Sequence, residues 1–253
     1  MKGFRYGVIG RGKWGARIHQ ILTEYPRPVF VWDLSRRAQG ESREHYSLTV
    51  KKALQAYKDK VDIVWLAVPP GNQDIFVERV LEIGKPMIVE KPWMCDERAT
   101  EALIKKSEQL GLQIGMDYQY CFLEKARKIS KEFDDRNWSV KFSGEFSVSQ
   151  KDRLEIPAIH NLGSHLLAIR NFLFPNAEIE GIIARYEHPD CRKITISSPS
   201  RTADIVFLEN KEPLMQRLIE SFEKCLQEKT KFPLDLRFAL SVNRLIAGKG
   251  LGR

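Results

Sequence analysis

The sequence predicts an α/β fold for its first half, in which helices cover both faces of a doubly wound parallel sheet. Two observations predict this fold. Short runs rich in β-branched and aromatic residues alternate with helical runs through residues 4–118, and such alternation is typical of parallel sheets. A glycine-rich turn also joins the first strand run directly to the first helical run.

The predicted elements follow one another at short intervals. Five runs have the composition of buried strands: FRYGVIG, PVFVWD, VDIVWLAVPP, PMIVEKP and LQIGMDY. Four helical runs lie between them: GRGKWGARIHQILTEY, KKALQAY, QDIFVERVLEIG and DERATEALIKKSEQLG. Because crossovers between parallel strands are almost always right-handed, this order predicts a sheet covered on both faces.

Chain length and composition restrict the class of protein. The 253 residues suffice for one large domain or two modest ones, and 43% hydrophobic residues supply an ordinary core. No apolar run reaches the roughly 20 residues that span a bilayer, and the first residues lead into a strand rather than a signal peptide. Four scattered cysteines without a CxxC pair predict reduced thiols in a cytoplasmic protein, with neither a metal site nor a disulfide framework.

The formal net charge of +8 is compatible with nucleic-acid binding, but the basic residues are spread along the whole chain without a recognition motif. A positive field around a cleft explains the charge at least as well if the cofactor and the substrate are anions. We therefore expect a small-molecule substrate, anionic or sugar-like, and neither nucleic acid nor a membrane as a partner.

The glycine-rich turn has the pattern G-x-G-x-x-G in the context that dinucleotide binding requires, after a strand and before a helix. Gly10 permits the tight turn, Gly12 lets the backbone approach a pyrophosphate, and Gly15 allows close packing of the helix. The helix N-terminus offers N–H groups to the anion. The candidate residues for pyrophosphate binding are Gly10, Arg11, Gly12, Lys13, Trp14 and Gly15.

An acidic residue ends the second strand run. Asp33 lies 18 residues after Gly15, where a carboxylate accepts hydrogen bonds from the adenosine ribose. This carboxylate repels a 2′-phosphate and favours NAD. Arg36 and Arg37 follow closely and would accommodate that phosphate, so NADP remains an alternative.

The fourth strand run ends in Glu90-Lys91-Pro92. Together with the glycine pattern, Asp33 and VPPGNQ (residues 68–73), this motif resembles the Gfo/Idh/MocA oxidoreductases, which have an N-terminal Rossmann domain. The resemblance implies that Lys91 lies near the nicotinamide and the substrate. It also implies that the cofactor lies near Val68, Pro69, Pro70, Asn72 and Glu90.

The resemblance extends into the second half of the chain and implies two domains, residues 1–118 and 119–253. The second would be an α+β domain with an open, mostly antiparallel sheet, formed by strands within residues 139–208. Closing helices near 211–247 would pack back toward the first domain. Because the chain is short for the family, we expect a reduced sheet. The family associates through this sheet, whose apolar-rich strands predict a homodimer or larger assembly.

HNLGSHLLAIRNFL, residues 160–173, has the pattern of an amphipathic helix in which Asn161 and His165 share a face. The resemblance makes His165 the catalytic histidine and places Asn161 where the family has an aspartate. Histidine suits transfer of a hydroxyl proton because its ordinary pKa is near 6.5. Asn161 orients a substrate but cannot titrate. The alternative is that His165 is a packing residue among the helix's many apolar side chains.

These features predict an NAD(P)-dependent oxidoreductase that acts on CH–OH groups of sugars, cyclitols or nucleotide-linked sugars. Lys91, Asn161 and His165 would be the chemical residues. The resemblance places Tyr118 and Tyr120 beside the substrate at the domain junction. Two alternatives remain open: a non-catalytic regulatory protein that binds a dinucleotide, and an NAD-dependent glycosidase without net oxidation.

Overall fold

Five short parallel strands form the first sheet of the computed structural model, which describes residues 3–24, 29–32, 42–133, 139–149, 156–207 and 213–248. Their order is β2-β1-β3-β4-β5. All described residues of β1, β3, β4 and β5 are buried, as expected of strands covered on both faces. The strands are β1 (Tyr6–Ile9), β2 (Val29–Trp32), β3 (Ile63–Leu66), β4 (Met87–Val89) and β5 (Ile114–Met116).

The strand order reverses between β1 and β3, which lie side by side although β2 separates them in the chain. In doubly wound sheets a ligand binds in the crevice outside the carboxyl ends of the strands at such a reversal. The residues that follow β1, β3 and β4 therefore lie at the edge where a ligand is expected.

Four helices connect these strands: α1 (Lys13–Glu24), α2 (Arg43–Tyr57), α3 (Gln73–Glu82) and α4 (Glu97–Gln109). Helix α2 begins well before the predicted run KKALQAY, because the side chain of Ser42 accepts a hydrogen bond from the His45 N–H and caps the helix there. Asp96 caps α4 in the same way by accepting from the Ala99 N–H. The predicted order of strands and helices is confirmed, and only the bounds differ.

The chain divides into two compact units. Unit 1 comprises Met1–Asp117 and Ile219–Leu240, and unit 2 comprises Tyr118–Leu218 and Ser241–Arg253. The second stretch of unit 1, Ile219–Leu240, returns to the first sheet next to β5. There the Met116 N–H donates to the Leu234 carbonyl at 2.7 Å. This stretch begins within α7 (Leu214–Glu228) and ends within α8 (Leu236–Gly248).

Unit 2 contains a four-stranded mixed sheet in the order β7-β6-β8-β9. Strands β6 and β7 are parallel, whereas the other two pairings are antiparallel, so the sheet is mostly antiparallel as predicted. A parallel pair needs a crossover, and α6 provides it; α5 precedes the sheet. The elements are α5 (Glu124–Glu132), β6 (Lys141–Val148), α6 (Ser164–Leu173), β7 (Glu178–Tyr186), β8 (Cys191–Ser198) and β9 (Arg201–Val206).

The two faces of the second sheet differ in polarity. Phe142 and Phe146 alternate on the buried face, where α6 approaches so closely that a Cβ on Gly144 would lie 3.0 Å from Leu166. On the open face Thr195 donates to Asp204 at 2.6 Å, and other polar side chains surround this pair. The open face is therefore mostly polar in the described residues, because strand alternation puts most of the apolar side chains inward.

None of the helices in the described part of the chain combines the length and apolar character that crossing a bilayer requires.

Candidate functional site

The glycine turn after β1 is fixed by contact with the neighbouring strand. Gly10 has φ 110°, a left-handed conformation that favours glycine. A Cβ at this position would lie 2.3 Å from the carbonyl oxygen of Ala67, which follows β3. Only glycine therefore lets the turn approach the adjacent strand so closely.

The helix after the turn packs directly on it. A Cβ on Gly15 would lie 2.0 Å from the carbonyl oxygen of Gly10, so α1 depends on glycine there. A Cβ on Gly12, in contrast, would meet no atom within 4 Å of the described structure. Gly12 starts the helix by accepting from the Ala16 N–H at 2.9 Å. Gly10 and Gly15 thus let the N-terminus of α1 approach the crevice, and Gly12 leaves open space beside that N-terminus.

The residues around Gly12 are exposed: Arg11, Lys13 and Trp14, the last with 50% of its surface accessible. Two basic side chains beside a helix N-terminus suit an anion. The other predicted cofactor residues of this edge, Asp33, Arg36 and Arg37, lie outside the described residues, so their roles stay predictions.

The segment after β3 completes this edge of unit 1. Val68 is buried, whereas Pro69, Pro70 and Asn72 are half-buried and lead into a short 3₁₀ turn. Helix α3 then begins with Gln73, a fully buried residue that the sequence interpretation did not single out. Its amide donates to the Glu90 carbonyl at 2.5 Å, which ties the ends of β3 and β4 together.

The Oε1 atom of Gln73 is buried and accepts no hydrogen bond from the described residues. A buried acceptor without a donor is unusual and indicates that a further group completes the site. This atom, the open space at Gly12 and the helix N-terminus together fit a dinucleotide, which carries phosphates for the helix and hydroxyl donors for such an acceptor.

Glu90 has its carboxylate inside unit 1, with 6% of the residue exposed. The Trp65 Nε1–H donates to it at 3.2 Å. Burial, followed by the charge and hydrogen bonding of Asp117, raises the pKa of Glu90 well above its ordinary value. Lys91 and Trp65 act in the opposite direction but do not cancel these effects. Glu90 and Asp117 therefore form a buried acid pair in which the pKa of Glu90 is raised.

Asp117 was missed by the sequence interpretation, although the run LQIGMDY places an acidic residue directly after β5. Its position follows from topology: β4 and β5 are parallel neighbours, and the Asp117 N–H donates to the Val89 carbonyl at 2.9 Å. Lys91 follows the acid pair at the same edge and is half-buried. Lys91 is close enough to the acid pair for its positive charge to lower the pKa of Glu90, although burial and Asp117 outweigh this effect.

In unit 2 the predicted helix begins with a π-helical turn, Ile159–Gly163, before α6. Such turns are rare and occur frequently at functional sites. Asn161 lies in this turn and donates to the Tyr186 hydroxyl at 2.8 Å, and that hydroxyl donates to the Ile156 carbonyl at 3.0 Å. The amide of Asn161 is thus oriented by Tyr186, and its role toward a substrate stays a prediction.

The rings of Tyr120, Phe146 and Phe207 contact one another and form an aromatic box, and His165 contacts the first two of them. The Tyr120 ring meets the imidazole edge-on at 4.7 Å, and Phe146 stacks against it at 5.7 Å. His165 is only 5% exposed. Tyr118, whose pKa is raised by its burial, lies farther away at 6.5 Å. The structure brings both predicted tyrosines to His165 in unit 2, and their roles toward substrate stay predictions.

Lys91 belongs to unit 1 and His165 to unit 2, so their pairing across the two units stays a prediction. Among the described residues no three histidine, cysteine, aspartate or glutamate side chains are grouped as a metal site would require.

Unit 1 has the fold and the glycine turn of a dinucleotide-binding Rossmann domain. Residues 4–118 match the GFO_IDH_MocA family, described as "Oxidoreductase family, NAD-binding Rossmann fold". These residues are thus similar to the NAD-binding domain of the Gfo/Idh/MocA oxidoreductases. This match confirms the resemblance and agrees with the predicted cofactor class, NAD(P).

One curated relative is dTDP-3,4-didehydro-2,6-dideoxy-alpha-D-glucose 3-reductase from Actinomadura kijaniata, which is 23% identical over 205 residues. The alignment covers 72% of this chain but only 60% of the relative, so the chain spans about three fifths of the relative's length.

Two solved structures are similar over nearly the whole chain. UDP-N-acetylglucosamine 3-dehydrogenase GnnA from Acidithiobacillus ferrooxidans has a TM-score of 0.79 at 17% identity and covers 96% of this chain and 95% of its own. A mutant of KijD10, a 3-ketoreductase from Actinomadura kijaniata in complex with TDP-benzene and NADP, has a TM-score of 0.73 at 14% identity and covers 98% and 97%. These likenesses confirm the predicted fold class.

The glycine turn yields a prediction that separates folding from cofactor binding. Gly15→Ala should lower the free energy of unfolding by about 3 kcal/mol, because its Cβ would overlap the Gly10 carbonyl. The Tm should then fall by about 6–12 °C. Gly12→Ala should fold normally but bind NADH about 10-fold more weakly, a loss of about 1.4 kcal/mol. Thermal melts and NADH fluorescence titration measure the two effects.

Gly181→Ala is the matched control, since its Cβ also meets nothing within 4 Å but lies in unit 2. Equal NADH affinity of the Gly12→Ala variant and this control would contradict a ligand at Gly12.

The buried acid pair predicts a specific pH dependence of stability. A group whose pKa is raised on folding contributes stability that is complete below its unfolded pKa, about 4.3 for glutamate. That contribution is lost as the pH rises through the raised folded pKa. Glutamine does not titrate, so the Glu90→Gln variant does not lose this stability as the pH rises. The Tm of the variant minus that of wild type should therefore increase between pH 5 and pH 8. One pKa unit is worth about 1.4 kcal/mol, or about 3–6 °C in a chain of this size.

Circular dichroism melts across this pH range test the prediction, with the exposed Glu101→Gln as control. A constant difference between Glu90→Gln and wild type at all pH values would show that Glu90 retains no extra proton.

Proposed function

We propose that the protein is an NAD(P)-dependent oxidoreductase that transfers a hydride between the nicotinamide and a CH–OH or carbonyl carbon of a nucleotide-linked sugar. The observation that carries the proposal is the glycine turn at the switch point of a Gfo/Idh/MocA Rossmann domain, with Lys91 at the same sheet edge. The names of two relatives support the substrate class: a dTDP-sugar 3-reductase and a UDP-N-acetylglucosamine 3-dehydrogenase. Other sugars and cyclitols are the broader class.

The first domain, residues 1–118, would hold the cofactor. The N–H groups at the start of α1, with Arg11 and Lys13, bind the pyrophosphate, and Asp33 accepts from the adenosine ribose. This carboxylate makes NAD the preferred cofactor, whereas Arg36 and Arg37 are the residues that would tolerate NADP. Bound nicotinamide supplies or accepts the hydride.

Val68, Pro69, Pro70 and Asn72 would line the nicotinamide half of the site. Gln73 contributes its buried Oε1 as an acceptor for a hydroxyl of the cofactor. Glu90, whose carboxyl group lies in the interior, serves the site through its carbonyl contact with Gln73 and through its coupling to Asp117 and Lys91.

The second domain, residues 119–253, would present His165 and Asn161 to the substrate, with Tyr118 and Tyr120 beside them. The Lys91 ammonium stabilises negative charge that develops on the substrate oxygen, an effect that is largest where water is excluded. The His165 imidazole accepts or returns the hydroxyl proton. Asn161, oriented by Tyr186, positions the substrate without transferring a proton.

A second candidate function is a non-catalytic protein that binds the dinucleotide for regulation. Two observations favour it: His165 is almost wholly buried and contacts aromatic rings, and Asn161 is an amide that cannot titrate. Retained cofactor without turnover of any dTDP- or UDP-linked sugar would support this candidate.

Steady-state kinetics with a panel of UDP- and dTDP-linked sugars test the proposed chemistry. Lys91→Ala and His165→Ala should each lower kcat by roughly 10²-fold, the scale of a lost acid–base or charge-stabilising group, while NADH affinity stays within about 3-fold. Asn161→Ala should mainly raise KM. The exposed His188→Ala is the control for His165. Near-normal kcat in His165→Ala would make His165 a packing residue.

We also propose a homodimer or larger assembly through the open face of the second sheet. Ile183, 39% exposed on β7, is one of its few apolar side chains. Light scattering at micromolar concentration should give at least twice the 29.3 kDa chain mass. Ile183→Glu should reduce the mass to one chain, whereas Leu48→Glu, at an exposed leucine of α2, should not. A monomeric wild-type protein would refute the proposal.

A further inference from the structure

We propose that Arg192 binds an anionic group of the substrate, specifically a phosphate of a nucleotide-linked sugar. The inference rests on the proposed function and adds a residue on β8 that neither the sequence interpretation nor the family match assigns. Its basis is the position of a half-buried guanidinium in the aromatic box around His165.

Arg192 lies on the buried face of the second sheet. It pairs in register with Phe146 on β6, and it alternates with Ile194 and Ile196, whose side chains are buried on that face. Its backbone carbonyl accepts from the Phe207 N–H at 2.9 Å. Arg192 is therefore bordered by two of the residues that form the aromatic box.

The guanidinium is held in the box by two kinds of contact. The Arg192 Nη1–H donates to the Tyr120 hydroxyl at 3.0 Å, and the guanidinium carbon lies 4.9 Å from the Phe146 ring centroid. Tyr120 and Phe146 also contact the His165 imidazole. The guanidinium and the proposed proton acceptor thus share both aromatic neighbours.

The charge of Arg192 has no protein counter-ion in the part of the chain that the structure describes: no carboxylate there lies within 4 Å of the guanidinium. Its Nε is buried and has no acceptor among those residues. A buried or half-buried charge is costly unless it is paired. Aromatic faces and one phenol compensate this cost only in part, so an anion from outside the protein fits the position.

The geometry favours an oxyanion, because a guanidinium presents planar pairs of N–H donors that match phosphate and carboxylate. Phosphate is the more consistent choice, since the named relatives act on dTDP- and UDP-linked sugars. A phosphate at Arg192 would place the sugar of the same molecule near His165, because Tyr120 contacts both side chains.

Arg127 provides a matched control in unit 2. It is also half-buried and also lies over two rings, Phe122 at 4.7 Å and Phe172 at 5.8 Å. Unlike Arg192, its Nε donates to a protein acceptor, the Cys121 carbonyl, at 3.1 Å. The Nε that lacks an acceptor in Arg192 is thus satisfied within the protein in Arg127, and we expect no ligand anion there.

The test is calorimetric titration of the full chain, saturated with NADH, with UDP, dTDP and glucuronate as separate probes. We expect UDP or dTDP to bind wild type, with at least about 10-fold weaker binding to Arg192→Gln, the loss of one charge-assisted contact. Arg127→Gln should bind within about 2-fold of wild type. NADH affinity should be unchanged in both variants, which separates this test from that of the proposed function.

Four outcomes would overturn the proposal. They are equal nucleotide affinity of Arg192→Gln and wild type, an equal loss in Arg127→Gln, no binding of UDP or dTDP by wild type, and Arg192-dependent binding of glucuronate alone. If Arg192→Gln does not fold by circular dichroism, Arg192→Lys replaces it. That variant keeps the charge but loses the planar donor pair, so it should still weaken nucleotide binding. Absence of NADH binding in wild type would instead refute the proposed function.

Discussion

The contact of the Gly10 turn with the backbone of Ala67 and with Gly15 is the constraint on which the cofactor half of the structure depends. Two backbone segments and a helix approach more closely than any Cβ would allow. This approach places β1 beside β3, points the N-terminus of α1 at the crevice and leaves open space at Gly12. The pairing of β1 with β3 and the space for a ligand at Gly12 therefore depend on the same contact among Gly10, Gly15 and Ala67.

The carboxyl ends of the parallel strands gather the polar groups of unit 1. Gln73 joins the ends of β3 and β4, and the acid pair of Glu90 and Asp117 lies between β4 and β5. These groups are buried, the pKa of Glu90 is raised, and the Gln73 Oε1 accepts no hydrogen bond from the described residues. Polar groups in such a place cost stability unless they are satisfied, and a lysine at the same edge benefits from their negative charge.

Unit 2 uses a sheet and a helix for a different purpose. The buried face of the sheet and α6 enclose His165 with Tyr120 and Phe146, and Arg192 enters the same cluster from β8. The guanidinium of Arg192 has no carboxylate partner among the described residues. A box that holds two nitrogen-rich side chains among aromatic rings suits a substrate with both a hydroxyl group and an anion.

The sequence by itself determined the alternating fold of unit 1, the glycine turn and the residues at the strand ends, because local spacing and backbone sterics act within a few residues. It did not show that α2 begins at Arg43, since a single cap at Ser42 decides that bound. The sequence did not identify Asp117 or Arg192 as site residues, because neither lies in a recognisable local motif. Only the tertiary structure decided their surroundings, because parallel pairing brings Asp117 to Glu90 and antiparallel pairing brings Arg192 to Phe146, across separations that no local pattern encodes.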